Sequence, residues 1–227
     1  MVFSSTIFLL VFLPIVLSIY YLVDKRYKNW VLLLSSIFFY SWGAPKFIFV
    51  ILGTTFVDFF LVGLMYRSER KALRRLLLVL SLSVNVGLLF YFKYSNFFID
   101  NINVLLGGMG VKEIVWVKLI LPIGISFYTF KSLTYVIDVY RKVHAPLKNF
   151  WEYQLYIMLF PRLIAGPIIR YHEISDQISD RTANETIENR INGFFRFIMG
   201  LSKKMLIANV LGEVVDSVHL LLADSIT

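Results

Sequence analysis

Runs of apolar residues, separated by short basic clusters, set the terms on which this chain folds. Ile7 to Val23, Trp30 to Trp42, Phe47 to Met65, Leu76 to Phe92 and Ile114 to Val139 follow one another with little else between them. With 58% hydrophobic and 17% aromatic residues, the 227-residue chain is far more apolar than a soluble domain of its size requires. It reads as a polytopic bundle of transmembrane helices. A net charge of +8 raises the question of nucleic acid, but Lys and Arg cluster between the runs and not along one exposed face. The charge is therefore a topology signal, and the bilayer, not nucleic acid, is the expected partner. The absence of cysteine rules out disulfides, a thiolate metal site and a thioester relay through the protein.

If each run crosses once, the basic clusters at 25–28, 67–75 and 141–148 fall on one side, which the positive-inside rule makes cytoplasmic. The Gly43-Ala44-Pro45 turn, the polar connection Lys93 to Lys112 and the N-terminus then face outward. Ile7 to Val23 lacks a basic lead and a small-residue cleavage site, so it reads as a retained helix. Trp30 to Trp42 is short for about 30 Å of hydrocarbon and must extend into its flanks or thin the bilayer. Asp58 sits within Phe47 to Met65. Apolar neighbours at about −0.3 to −0.6 kcal/mol each offset about +3 kcal/mol for one central acid. A helix-packing hydrogen bond is the plain account of Asp58 and of Asn85.

One stretch does not fit a spanning helix. Phe160-Pro161-Arg162-Leu163-Ile164-Ala165-Gly166-Pro167-Ile168-Ile169-Arg170 carries an arginine and two prolines inside an apolar run. Irregular backbone at membrane depth persists only where protein or a water-filled cavity covers it. A broken or re-entrant segment near 150–170 is expected, beside a polar site. Tyr171 to Arg190 is rich in acids and hydroxyls and reads as a solvated segment on the cytoplasmic side. In Leu201 to Leu222, residues Ser202, Asn209, Glu213, Asp216 and His219 share one helical face, which looks at a cavity or at the membrane surface.

Little catalytic chemistry is legible from residues alone. His144 lies in a basic loop and is expected to be solvated, His172 follows the Gly166-Pro167 turn closely enough to reach the membrane edge, and His219 belongs to the polar stripe. No serine elbow is present, Gly107-Gly108-Met109-Gly110 lacks the ending of a phosphate loop and reads as a turn, and no metal site is expected.

Leu121-Pro122-Ile123-Gly124-Ile125-Ser126-Phe127-Tyr128-Thr129-Phe130, with Tyr135-Val136-Ile137-Asp138-Val139-Tyr140-Arg141 after it, resembles the membrane-bound O-acyltransferase family, in its bacterial alginate O-acetyltransferase branch. Met1-Val2-Phe3-Ser4-Ser5, Tyr91-Phe92-Lys93-Tyr94, Phe160 to Arg170 and Gly200 to Asn209 agree, in the right order. The resemblance implies a single membrane domain over 1–227, the N-terminal half of a protein about twice as long. The family's tryptophan- and arginine-rich segment and invariant histidine have no counterpart here, so the resemblance assigns no catalytic residue, and the isolated chain is expected to be inactive. Arg162 stands where members more often carry glutamine or lysine.

The resemblance further implies acetyl transfer across a bacterial cytoplasmic membrane to an extracellular or cell-wall polysaccharide. The donor is acetyl-CoA or another cytoplasmic acyl carrier, no cofactor is bound, and a partner protein acts outside. Arg162, Arg170, His172 and Asn209 are the candidates for lining the donor site or channel, since guanidinium forks suit phosphate oxygens. The competing reading is a non-catalytic transport or scaffold component of a polysaccharide export system.

Overall fold

The structure, a computed structural model, describes residues 5–164 and 166–224, the last six by backbone alone. Every regular element among the described residues is helical, as expected for an all-α membrane bundle. The chain divides into two compact units, Met1–Asp180 and Arg181–Thr227.

In the first unit a π-helical turn, Phe8–Phe12, leads into α1, Leu13–Leu22. The short second run does extend into its flanks, because α2 spans Lys25–Gly43. After a one-turn helix at Pro45–Phe47, α3 covers Ile48–Arg67. Next comes α4, Lys71–Gly108, whose 38 residues measure about 57 Å at 1.5 Å per residue, well beyond a bilayer core. The expected loop at Lys93 to Lys112 is therefore helix for most of its length. Polarity there marks a solvent-facing helix and not a connection; the glycines stop the helix only at Gly107-Gly108, and the turn expected at that run follows at Met109 and Gly110.

The polar residues of the extension have a task. Residues 111–122, without regular structure, return alongside α4 as a strap. Asn103 exchanges two hydrogen bonds with the backbone of Ile114, at 3.1 and 2.8 Å. Asn96 does the same with Leu119, at 2.8 and 2.9 Å, and also accepts from the Trp116 indole. Spaced seven apart, the two asparagines share one face of α4 and stand in for a missing strand neighbour.

Ile114 to Val139 is thus not one helix. Pro122 has no N–H to give a helix ladder, and Gly124 takes a left-handed conformation at φ 77° as the cap from which α5, Ile125–Tyr140, begins. A Cβ at Gly124 would lie 2.9 Å from the carbonyl oxygen of Leu163, so this position also lets α5 approach the broken segment.

That segment opens with α6, Phe150–Met158, about 14 Å long and too short to cross. Its residues Tyr153 to Met158 are at most 2% exposed, so the helix is enclosed on every side. It stops at Leu159, one helical turn follows at Phe160–Arg162, and Gly166 at φ 130° turns the chain toward Pro167. The break expected near 150–170 is present. Phe160 anchors it in an aromatic cluster with Phe8, Phe12 and Phe39.

The segment after Arg170, expected to be solvated throughout, begins with the helix α7, Tyr171–Ser179. Tyr171, Ser175 and Ile178, spaced four and three apart, are buried, while its acids face out. The short apolar repeat hidden among acids is the signal that a search for long runs passes over.

All three basic clusters gather at one end of this bundle. Arg74 Nη2 donates to Tyr140 O at 2.6 Å, Arg67 and Lys148 line one groove, and Arg26 lines another with Asn149 and Glu152. In the second unit α8, Ile187–Lys203, is capped by Thr186 Oγ1 and continues through a π-helical turn, Lys204–Ala208, into α9, Asn209–Asp224. The last run therefore starts a dozen or so residues earlier than its apolar stretch, since α8 is amphipathic.

Gly124→Val is expected to lower the stability of the detergent-solubilised chain by about 1–3 kcal/mol, from a strained backbone and a clash with Leu163. Gly53→Ala, where an added Cβ meets nothing, should leave the melting temperature unchanged or higher.

Candidate functional site

A helix that ends inside a bilayer leaves its last carbonyls without partners unless side chains reach them. At the end of α6 the partner is Lys131 of α5, 3% exposed, whose Nζ donates to Ile157 O at 3.1 Å. A cation at a helix C-terminus also meets the negative end of the helix dipole. Across the break, Phe160 N donates to Ser36 Oγ at 3.0 Å, and Ser36 in turn donates to Leu32 O. Sequence reading missed both Lys131 and Ser36, although a lysine inside the apolar run Ile114 to Val139 was visible.

Arg162 closes the one-turn helix beyond the break. Its Nε and Nη2 are buried and have no hydrogen-bond partner among the described residues. Lys131 and Tyr156 are its nearest titratable neighbours. The Tyr156 hydroxyl is occupied elsewhere, with Thr134 Oγ1 at 3.1 Å and Lys131 O at 3.3 Å. Two neighbouring basic side chains thus face the broken segment, Lys131 bonded to a helix end and Arg162 with donor nitrogens left over among the described residues.

Lys131, Thr134, Tyr135 and Asp138 recur at three, one and three residues, so they form one stripe along α5. It runs from the buried break to the basic end, about 10 Å from Lys131 to Asp138. At its outer end Asp138 Oδ2 accepts from the backbone N–H of His172 at 3.2 Å and lies 2.9 Å from His172 Nδ1. The carboxylate caps the N-terminus of α7 and accepts a hydrogen bond from the imidazole Nδ1–H. Tyr135 of the stripe packs ring to ring with Tyr153 and Tyr171, and Tyr156 packs against the same two rings. The Tyr171 hydroxyl donates to Ala145 O at 2.7 Å, and burial pushes its phenol above its ordinary range.

Beside this lies a second polar set. Asp58 of α3 is fully buried; Oδ1 accepts from Ser81 at 2.5 Å and Oδ2 from Asn85 at 2.7 Å. Tyr153 reaches both Asp58 and Ser132, at 3.5 and 3.2 Å. The expectation that Asp58 and Asn85 serve helix packing holds, and they pair with each other. Thr55 meanwhile donates to Gln154 Oε1 at 2.6 Å, tying α3 to α6.

The four residues singled out in the sequence are placed differently. Arg162 is half-buried at the break, Arg170 is exposed at the N-cap of α7, and His172 is held by Asp138. Asn209 belongs to the second unit, where it is exposed with Nδ2 3.6 Å from Met205 Sδ. Its neighbours on the predicted stripe, Glu213 and Asp216, are exposed too, while the His219 side chain lies outside the described residues. His144, expected to be merely solvated, packs its ring against Tyr171 and pairs with Asp176 at 3.2 Å. Tyr171 offers a ring face and α7 an acid, neither of which a loop reading anticipates.

No family model and no solved structure matches the chain. Curated proteins do. It is 40% identical over 219 residues to a probable alginate O-acetylase of Pseudomonas syringae pv. tomato, covering 95% of this chain and 42% of the relative. Against the probable alginate O-acetylase of Pseudomonas aeruginosa the identity is 39%, with 95% and 41% covered. A peptidoglycan O-acetyltransferase of Helicobacter pylori is 31% identical over 241 residues, with 92% and 45% covered. The chain spans less than half the length of these relatives. The resemblance read from its motifs is borne out over nearly the whole of its own length.

Asp58→Leu strands the donors of Ser81 and Asn85 in the bundle and is expected to cost about 3 kcal/mol or more. Asp58→Asn keeps an acceptor and should cost less. Equal melting temperatures for the two variants and the parent would contradict the network.

Proposed function

We propose that this chain, a relative of the alginate O-acetylases, forms the donor side of a membrane O-acetyltransferase. In this reading the protein moves acetyl groups from a cytoplasmic carrier, acetyl-CoA or an acyl-carrier thioester, to a polysaccharide outside the cell. The observation that carries it is Arg162, a guanidinium with two buried donor nitrogens that have no partner among the described residues, set in a broken membrane segment. Burying such donors without partners costs roughly 1–3 kcal/mol for each group. A fold retains them where something else supplies the oxygen, and the donor's acyl or phosphate oxygens are of the right chemistry.

The basic end of the bundle is the cytoplasmic face in this proposal, by the positive-inside rule, with the N-terminus outside and the bacterial cytoplasmic membrane as the setting. The α5 stripe then leads from that face to the break. Arg170, exposed where α7 begins, is the natural first contact for a carrier phosphate. The amino end of α7 is not, because Asp138 already accepts from it. His172 is positioned at the same edge as a donor or acceptor through Nε2. Asn209 is kept as a channel-lining candidate of the second unit. The histidine that performs the chemistry in this family is supplied outside residues 1–227, as general base or acyl relay. An acceptor such as alginate, and a partner protein that passes acetyl groups on, belong to the outer side.

The test is polysaccharide O-acetyl ester content in cells expressing the reading frame that carries residues 1–227. Arg170→Ala is expected to lower it at least about tenfold, one lost charge-assisted contact being worth that much, with unchanged protein in the membrane. No ester in the parent cells, or full ester with Arg170→Ala, would overturn the corresponding part of the reading.

A further inference from the structure

A groove of about 520 Å³ opens at the basic end of the bundle; it touches Tyr135 of the α5 stripe, but neither Lys131, Asp138 nor Arg162 lines it. One wall is a single face of the last turns of α3, with Phe59, Phe60, Gly63 and Leu64. The other is the loop after α5, with Pro146 and Leu147. Phe60 and Leu64 are more than half exposed, so this hollow presents apolar surface outward. At its rim stand Arg67 and Lys148, brought together from elements about 80 residues apart in sequence. Both are exposed, neither forms an ion pair among the described residues, and no carboxylate lines the groove.

A plain structural account covers part of this. A cation in the last turn of α3 suits the helix dipole, so Arg67 alone needs no ligand. It does not account for Lys148 arriving at the same rim from another element, nor for the open aromatic hollow below. A second groove, of about 500 Å³ between α3 and α4, shows the contrast: Phe49, Val57, Leu88 and Phe92 line it, and no charged residue does. Plain lipid chains suffice for that one. The first has an apolar trough and a doubly cationic mouth at the depth where spanning helices meet headgroups.

We propose that this groove binds an anionic phospholipid, its phosphate held between Arg67 and Lys148 and an acyl chain laid along Phe60 and Leu64. The charge complementarity selects the occupant: two unpaired cations over apolar surface match a headgroup of net negative charge and not a zwitterion, whose ammonium they repel. The lipid fills the space between α3 and the 141–148 loop and ties that loop to the bundle. The site is independent of acetyl transfer and stands whether or not that reading does.

Native mass spectrometry of the delipidated 227-residue chain, titrated with phosphatidylglycerol or phosphatidylethanolamine, tests it. Phosphatidylglycerol is expected to bind roughly ten- to thirtyfold more tightly, at the strength two near-surface cations supply. Arg67→Ala with Lys148→Ala should abolish that preference, and Arg70→Ala, outside the groove, should keep it. Gly63→Leu fills the trough, where an added Cβ meets nothing, and should weaken the binding of phosphatidylglycerol with both cations intact. Melting temperatures close to that of the parent would show that both variants are folded. Equal affinity for the two lipids, or a preference that survives both Gly63→Leu and the double substitution, overturns the proposal. Displacement of the bound lipid by millimolar inorganic phosphate alone would also overturn it, in favour of a free-anion site.

Discussion

The bond from Lys131 Nζ to the carbonyl of Ile157 is the contact on which this bundle depends. It ends a helix where no water can. Backbone groups inside a bilayer must find partners within the protein, and α6 stops after nine residues with its sides already enclosed. Lys131 serves the carbonyl side of the break and Ser36 the amide side, so α5 and α2 are both committed to positions set by α6. Gly124 follows from the same demand: α5 comes so close to Leu163 that no side chain fits. Aromatic packing around Phe160 and the tyrosine cluster behind α5 then exclude lipid from the site.

Much of this was legible in residues, for physical reasons that differ from place to place. Apolar runs and basic clusters report the bilayer directly, and the clusters do meet at one end of the bundle. Pro161, Gly166 and Pro167 announced the break because proline and a glycine at positive φ cannot continue a helix. The same rule applied to Pro122 and Gly124 divides the fifth run, yet its high apolar content hid them. The length of α4 was hidden in the opposite way. Asn96 and Asn103 look like loop residues in composition, and only their seven-residue spacing reveals a helical face that binds a strap.

The site was harder to read than the fold. Arg162 stood out because an arginine in an apolar run is rare. Lys131, Thr134 and Asp138 are each unremarkable alone, and their common face emerges only once α5 is known to begin at Ile125. Pairings across elements, such as Asp138 with His172 and Asp58 with Ser81 and Asn85, have no local signature at all. They join residues more than twenty apart, and what selects them is the cost of leaving either partner alone in lipid.

Lys131 and Arg162 separate the structural and functional demands on the break. Lys131 is bonded to the end of α6, whereas Arg162 keeps buried donors that the described residues do not satisfy. If those donors await the acyl donor, removing them relieves the fold and disables the protein. Arg162→Met measures both at once, as the melting temperature of this chain and as polysaccharide O-acetylation by the reading frame that carries it. The account predicts a melting temperature equal to or above that of the parent, with acetylation reduced at least about tenfold. A destabilised chain that acetylates at the parental level would contradict it.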